Sequence, residues 1–231
     1  MAEHRTSEQV RNKSVAAMPM PLGEIHHRLY DELAWLYIKW ADFHRLYATG
    51  QERVDLLNKA APAFFSQLQR MMWEDVLLHL CRITDPPKSG RHDHLTIMRS
   101  PDEIPDLALR AEVQQLVDDA KEKTRFARDW RNRYLAHLEL PAFQGQMSMP
   151  LPSASRKDVE AALSAVCRVM NRIERSYLKE TVLYEHSIEA LGGVNVLVAR
   201  LTKGIKAEKA EREIEALGGI EAVIAKLNTG I

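Results

Sequence analysis

The segment at residues 131–137 carries residue types that can cleave RNA without a metal ion. Its sequence is Arg-Asn-Arg-Tyr-Leu-Ala-His, and the chemically useful side chains are Arg131, Asn132 and His137. Arginine binds a phosphate through a fixed fork of donors and keeps its charge at any working pH. Histidine exchanges protons near neutrality. The segment therefore combines a phosphate ligand with an acid–base group.

Two interpretations of this segment follow from the residues. In the first, His137 deprotonates a ribose 2′-hydroxyl or protonates the leaving 5′-oxygen. Arg131 then holds the scissile phosphate, and Asn132 orients a phosphate oxygen or the histidine. In the second, the segment is only the end of a helix, where cationic side chains face the negative end of the dipole. The residues by themselves favour the second interpretation.

The spacing of Arg131 and His137 adds a geometric condition for a shared site. Six residues turn an α-helix by ~600°, so Arg131 and His137 would lie ~120° apart around it. They can meet at one phosphate only if the helix breaks between them or if two copies of the chain come together.

The residues just before the motif are locally basic. Residues 121–133 contain six basic side chains against Glu122 and Asp129. We therefore expect Arg128 and Arg133 to bind the substrate beside Arg131. The whole chain has 32 Lys and Arg residues and 32 Asp and Glu residues. This balance argues against a protein that coats nucleic acid through bulk positive charge.

A second polar group precedes the motif in the chain. Asp75, His79 and Arg82 are spaced by four and three residues, on one face of a predicted helix. The residues by themselves favour a polar cluster buried between helices, in which Asp75 or Glu74 pairs with an arginine. The functional interpretation is that the three residues anchor Arg131 or shape the cleft around it.

Metal and redox sites are not expected. The run Arg-His-Asp-His at residues 91–94 has two histidines in a Pro-containing loop, but no second ligand cluster at a defined spacing. We expect no metal and no cofactor. Cys81 and Cys167 both fall in helical patterns, as small apolar residues do, and this usage is typical of a reducing cytoplasm. No apolar run approaches the ~18 residues of a membrane span, so no membrane contact is expected.

Hydrophobic periodicity predicts an all-α fold, built as an up-and-down bundle of amphipathic helices. The first helix begins near Ile25 and closes at Gly50. A second helical region covers 53–83, is interrupted at Pro62 and ends before Asp85, which we interpret as a helix-stop residue ahead of Pro86. The predicted third helix covers 105–138. The fourth follows a stripe from Val159 to Tyr177 and continues to Tyr184 and Ile188.

The two ends of the chain differ from this pattern. The polar stretch at residues 1–14 predicts a frayed terminus without a signal peptide. The C-terminal part holds a repeat: residues 188–205 recur as 214–231, with ten of the eighteen positions identical. Each copy suggests a helix end, a Gly-Gly turn and a short apolar helix. We expect this tail to pack on the bundle, on itself or on a second subunit.

The motif resembles the signature of the HEPN superfamily. That signature is an arginine, a polar residue directly after it, and a histidine four to six residues beyond the arginine. Here Asn132 fills the polar position and five residues separate Arg131 from His137. Residues 129–140 and the earlier string Leu-Cys-Arg-Ile-Thr-Asp-Pro at 80–86 are similar to the abortive-infection U branch of the superfamily.

The resemblance covers roughly residues 20–185. Once it is considered, the ribonuclease interpretation of the motif is favoured over the interpretation as a simple helix end. The resemblance implies a HEPN-like bundle at 21–185, after a flexible segment at 1–20 and before a helical repeat tail at 186–231. It implies a metal-independent endoribonuclease in phage defence or a toxin–antitoxin setting. It also implies a homodimer whose paired motifs line one cleft, RNA as substrate and an antitoxin or regulatory partner. The alternative function is a non-catalytic helical module that binds RNA or protein.

Overall fold

The structure is a computed structural model that describes residues 6–135, 154–186, 192–216, 219 and 224. His137 lies outside these described residues. Apart from one two-stranded hairpin, the regular elements of the described chain are helices, which confirms the predicted all-α fold. The elements before the hairpin are α1 (Ser7–Ala17), α2 (Leu22–Tyr47), α3 (Gln51–Ala60) and α4 (Pro62–Thr84).

The hairpin pairs β1 (Lys88–Ser89) with β2 (His92–Asp93) in antiparallel register, with Ser89 opposite His92. A 3₁₀ helix (Ile97–Glu103) and the helices α5 (Leu107–Lys123) and α6 (Arg125–Trp130) follow. A π-helical turn then covers Arg131–Leu135. The remaining elements are α7 (Arg156–Tyr177), a short 3₁₀ turn (Tyr184–His186) and α8 (Val194–Ala216).

The chain divides into two compact units, and the first comprises residues 1–41 and 71–188. In this unit α5 packs along α7. α7 is the most regularly amphipathic of its helices, because Val159, Leu163, Val166, Met170 and Ile173 recur at helical spacing and are all buried. Its start is fixed by a capping box between Ser155 and Asp158. The first unit carries the residues of the candidate site.

The second unit comprises residues 42–70 and 189–231. There α3 packs against α8, the helix that follows the first Gly-Gly pair of the repeat. Val194 is buried, whereas Val196 and Leu197 are about 40% and 39% exposed. At the far end the amide of Gly219 donates to the carbonyl of Ile214 at 3.0 Å, with φ of 92° at the glycine, a backbone conformation that glycine adopts without steric cost.

The N-terminal residues form a helix where the polar composition predicts fraying. Thr6 and Gln9 make a capping box at the start of α1. Val10 and Ser14 are buried, and the Ser14 hydroxyl lies 3.4 Å from Nδ1 of His26. A cap and one buried face are enough to order a polar segment once another helix covers it.

The predicted continuous third helix is wrong, because the chain is interrupted at Thr124. The buried Thr124 hydroxyl donates to the carbonyl of Ala120 at 2.8 Å and to that of Lys121 at 3.2 Å. Such local side-chain bonds compete with the backbone ladder. After α6 the backbone widens into the π-helical turn that begins at Arg131. π-helical turns are rare and occur frequently at functional sites.

The predicted extension of the fourth helix to Tyr184 is also wrong, since α7 ends at Tyr177. The buried Asn171 side chain bonds both backbone groups of Val182, at 2.8 and 3.0 Å, and so folds the chain back along α7. Tyr184 is thereby buried, and its hydroxyl donates to Glu174 at 3.1 Å. Ile188 lies outside the described residues.

In the described part of the chain, no helix is long and apolar enough to cross a bilayer.

Candidate active site

Arg131 begins the π-helical turn and is bound on two sides. Its Nη1 donates to Oδ2 of Asp85, and its Nε donates to Oδ1 of Asn132 at 3.1 Å. The Arg131 and Asp85 side chains are 27% and 23% exposed, so the pair lies at the edge of solvent. Asp85 directly follows the last residue of α4. The ion pair therefore joins the end of α4 to the first residue of the motif.

Arg128 stabilises the same junction through hydrogen bonds on its buried side. Its Nη1 donates to the hydroxyls of Thr84, at 3.1 Å, and Thr124, at 2.8 Å, and its Nη2 donates to the carbonyl of Lys121. Burial lowers the pKa of Arg128, yet an arginine so far above neutrality stays charged. Since these donors are used inside the protein, the structure gives Arg128 a bracing role. Its predicted contact with RNA stays a prediction.

The other residues of the motif differ in exposure. Asn132 is exposed and accepts the bond from Arg131, whereas Arg133 is half-buried and has contacts of its own. His137, the predicted acid–base group, lies outside the described residues. The structure thus brings together Arg131, Asn132 and Asp85.

Arg131 lines an open cleft of about 580 Å³. The cleft is also lined by residues from α2, α4 and the hairpin segment: Glu32, Leu78, Arg82, Ile83, Asp85, Asp93, His94 and Leu95. Its volume is within the ~300–1,000 Å³ range of small-molecule sites. Its walls combine aliphatic surface with ionisable groups.

The three polar residues predicted on α4 have different partners in the structure, and they do not all reach the cleft. Arg82 reaches the cleft and binds Oε2 of Glu32 at 2.5 Å. Asp75 binds Lys39 at 2.7 Å, so it pairs with a lysine on α2 rather than with an arginine. His79 is buried between these pairs, with its Nε2 2.9 Å from Glu32. Asp75 and His79 therefore tie α4 to α2, and only Arg82 shares the cleft with Arg131.

His79 is not poised to carry protons near neutrality. Burial, followed by the charges of Arg82 and Lys39, lowers the pKa of His79 to about 4, against a smaller opposing effect of Glu32. The ring is thus neutral at pH 7. Lys39 lies 3.4 Å from its Nδ1 and can only donate, so Nδ1 is the acceptor and the ring proton is on Nε2, facing Glu32.

The segment after α4 is ordered by one arginine. Arg99 donates to the carbonyls of His94, at 2.6 Å, and Pro87, at 2.9 Å, and to the carboxylate of Asp93 at 2.7 Å. The Arg99 guanidinium lowers the pKa of Asp93. Thr96 then fastens the segment to α4 by donating to the carbonyl of Ile83 at 3.2 Å. This arrangement brings His94 to the cleft.

No group of His, Cys, Asp and Glu within the described ranges could hold a metal ion. The run at 91–94, considered from sequence as a poor metal site, contributes Asp93 and His94 to the cleft instead. Sequence reasoning missed Asp85, Glu32 and His94 as residues of the site. A signal existed for Asp85, because it belongs to the string at 80–86 that carries the resemblance.

A family profile described as HEPN_AbiU2: AbiU2 matches residues 21–190, more than half of the chain, so the fold is that of a HEPN domain. Within that superfamily the chain belongs to the AbiU2 family. The resemblance drawn from the two sequence strings is therefore confirmed, and membership indicates a nuclease or defence-related role. No curated protein and no solved structure gave a match.

Proposed function

We propose that the protein is a metal-independent endoribonuclease of the HEPN type, acting in phage defence or as the toxin of a toxin–antitoxin pair. The observation that carries the proposal is Arg131 itself. Its guanidinium is oriented by Asp85 and Asn132, is partly exposed and lines a cleft large enough for a nucleotide unit.

The reaction is an internal transesterification of RNA. A base takes the proton of the ribose 2′-hydroxyl, and the 2′-oxygen forms a bond to phosphorus. The bond from phosphorus to the 5′-oxygen breaks, and an acid gives that oxygen a proton. The products are a 2′,3′-cyclic phosphate and a 5′-hydroxyl. His137 transfers protons in this scheme, and Arg131 stabilises the charge that builds on the phosphate.

The contacts of Arg131 suit this role. Its bonds to Asp85 and Asn132 use Nη1 and Nε, and within the described chain they leave Nη2 for a phosphate oxygen. A guanidinium already held in place does not have to be ordered during the reaction, which is the basis of electrostatic preorganisation. Arg133 and Arg128 are proposed to add positive potential along the RNA backbone.

The decisive experiment is cleavage of tRNA and mRNA by purified protein in EDTA. Arg131→Ala and His137→Ala are expected to abolish cleavage. Arg125→Ala is the matched control, because Arg125 lies on α6, pairs with Glu122 at 3.2 Å and is not among the residues that line the cleft. Replacing the 2′-hydroxyl at the cut site by hydrogen is expected to stop the reaction. Cleavage that requires Mg²⁺, or that survives Arg131→Ala, would contradict the proposal.

We also propose a homodimer in which Arg131 of one subunit acts with His137 of the other. The sequence spacing supports this arrangement, because the two residues diverge around a regular helix. Mixing Arg131→Ala protein with His137→Ala protein would then regenerate one intact site per heterodimer and restore part of the activity. No recovery after subunit exchange, or a monomer by light scattering at micromolar concentration, would contradict a shared site.

One observation favours the alternative, a non-catalytic helical module that binds RNA or protein. Both arginines of the cleft are already paired with carboxylates, Arg131 with Asp85 and Arg82 with Glu32. Under this alternative Arg131→Ala would weaken binding or stability, and the wild-type protein would cut none of the RNAs tested. The EDTA assay separates the two functions.

A further inference from the structure

His94 lines the same cleft as Arg131, and it is the histidine among the described lining residues. The two residues are 37 positions apart in the chain. They share the cleft because the hairpin segment folds back over the end of α4. His94 is half-buried, at the junction between β2 and the 3₁₀ helix.

The backbone of His94 is held on both sides. Its amide donates to the carbonyl of Pro87 at 2.9 Å, and its carbonyl accepts from Nε of Arg99 at 2.6 Å. Arg99 also holds Asp93, the neighbouring residue. The anchoring therefore uses main-chain atoms of His94 and leaves its side chain out of these bonds.

Within the described ranges, neither ring nitrogen of His94 has a hydrogen-bond partner. Histidines packed for structural reasons usually satisfy at least one nitrogen, as His79 does with Lys39. The charged groups that line the cleft with His94 are Asp93 from the hairpin, Glu32 from α2, Arg82 from α4, and the pair of Asp85 and Arg131. An imidazole with open nitrogens, on a residue that lines the same cleft as Arg131, is suited to proton transfer.

We propose that His94 is a second catalytic residue, transferring a proton at the same RNA phosphate that Arg131 binds. The inference rests on the proposed ribonuclease function. Transesterification needs a base at the 2′-oxygen and an acid at the 5′-oxygen, on opposite sides of the phosphorus. One imidazole cannot serve both positions in a single step. His94 serves one of them and the motif histidine serves the other.

The test compares His94→Ala and His94→Gln with His92→Ala. His92 is the matched control, because it is an exposed histidine of the same hairpin that is not among the lining residues. Cleavage of a fluorogenic RNA oligonucleotide is followed in EDTA from pH 5 to 9. Binding is measured with the same oligonucleotide carrying a 2′-deoxy group at the cut site, and circular dichroism checks the fold of each variant.

Both His94 variants are expected to lower kcat by about a hundredfold or more and to lose one limb of the pH profile, with little change in affinity for the uncleavable RNA. His92→Ala is expected to match wild type. A substrate with sulfur at the 5′-bridging position needs no acid. Recovery of His94→Ala on it would assign His94 as the acid, and a persistent loss would assign it as the base.

Two results overturn the inference while leaving the proposed function intact. One is a His94→Ala protein as active as His92→Ala when Arg131→Ala is inactive. The other is a change in KM with kcat and the pH profile unaltered. A wild-type protein that cuts no RNA overturns the proposed function, and the inference falls with it.

Discussion

The carboxylate of Asp85 holds the guanidinium of Arg131, so the residue that follows α4 orients the first residue of the π-helical turn. The second carboxylate oxygen of Asp85 is buried, with no hydrogen-bond partner among the described residues. The bond to Arg131 therefore also stabilises the partly buried carboxylate of Asp85. The pair couples the stability of the junction to the geometry of the cleft.

Asp85→Ala is expected to lower the free energy of unfolding by roughly 1–2 kcal/mol, because it removes a charge-assisted bond at a partly buried position. It is also expected to lower cleavage at least about tenfold, since the guanidinium loses its anchor. Urea denaturation and initial rates measure the two effects. Asp119→Ala, which breaks the exposed pair with Arg168, is the control and should change little. Full activity in Asp85→Ala would show that the pair does not position Arg131.

Arg131→Lys separates charge from shape. Lysine keeps the positive charge but lacks the planar fork that contacts Asp85, Asn132 and a phosphate together. We expect kcat to fall by about 10²–10³-fold. The slope of log Kd against log salt should stay near that of wild type, whereas Arg131→Ala should reduce it by about 0.7. A fully active lysine variant would mean that charge alone suffices.

His79 makes stability depend on pH in a defined window. Its folded-state pKa of about 4 lies below the ordinary histidine value, so between these limits the unfolded chain binds a proton that the folded chain excludes. Stability from this residue is complete above pH ~6.5 and is lost as the pH falls towards 4. The residues facing His79 are Glu32, Lys39 and Arg82.

His79→Gln is therefore expected to flatten the fall in unfolding free energy between pH 6.5 and 4.5, by up to about 2 kcal/mol. Urea denaturation at several pH values measures it, and His92→Gln, at an exposed position, is the control. An unchanged pH dependence in His79→Gln would place the acid sensitivity elsewhere.

Glu174 is a buried acid of the first unit. Its Oε1 lies 3.4 Å from Nε2 of His26 and accepts the hydroxyl of Tyr184. The Glu174 and His26 side chains are 2% and 1% exposed. Glu174→Ala removes a partner from two buried groups and is expected to cost about 3 kcal/mol. Tyr184→Phe should cost about 1 kcal/mol. Glu160→Ala, at an exposed position of α7, should be neutral in the same urea denaturation experiment. A neutral Glu174→Ala would contradict this account.

The helices that bury a regular stripe could be predicted from the sequence. The spacing of Leu29, Leu33 and Leu36 on α2 gives one apolar face, and these residues are buried as expected. The same periodicity could not reveal the break at Thr124, because it depends on one hydroxyl bonding carbonyls of the preceding turn. Hydrophobic periodicity predicts which face of a helix is buried, whereas the position of a helix break can depend on a single hydrogen bond.

The sequence predicted several residues of the candidate site, including the distant Arg82 that lines the cleft, but not the partners that hold them. Arg131 and Asn132 were found from their types and spacing. Asp85 appeared as a helix stop because nothing local indicates that it reaches a residue 46 positions later. The alternation of partners on α4, with Asp75 bound to Lys39 and Arg82 to Glu32, likewise depends on which helix packs opposite.

The hydrogen bonds that Arg99 donates to the hairpin segment have a practical consequence. Two of its three acceptors are backbone carbonyls, which any residue would supply, so the hairpin tip can change without loosening the cleft. Ser89 is exposed at that tip. The chain has two cysteines, Cys81 and Cys167, both buried, and burial raises the pKa of each thiol to about 11. A cysteine placed at position 89 would then be the most reactive thiol of the native protein, and a dye attached there would test whether the proposed RNA substrate binds near the hairpin.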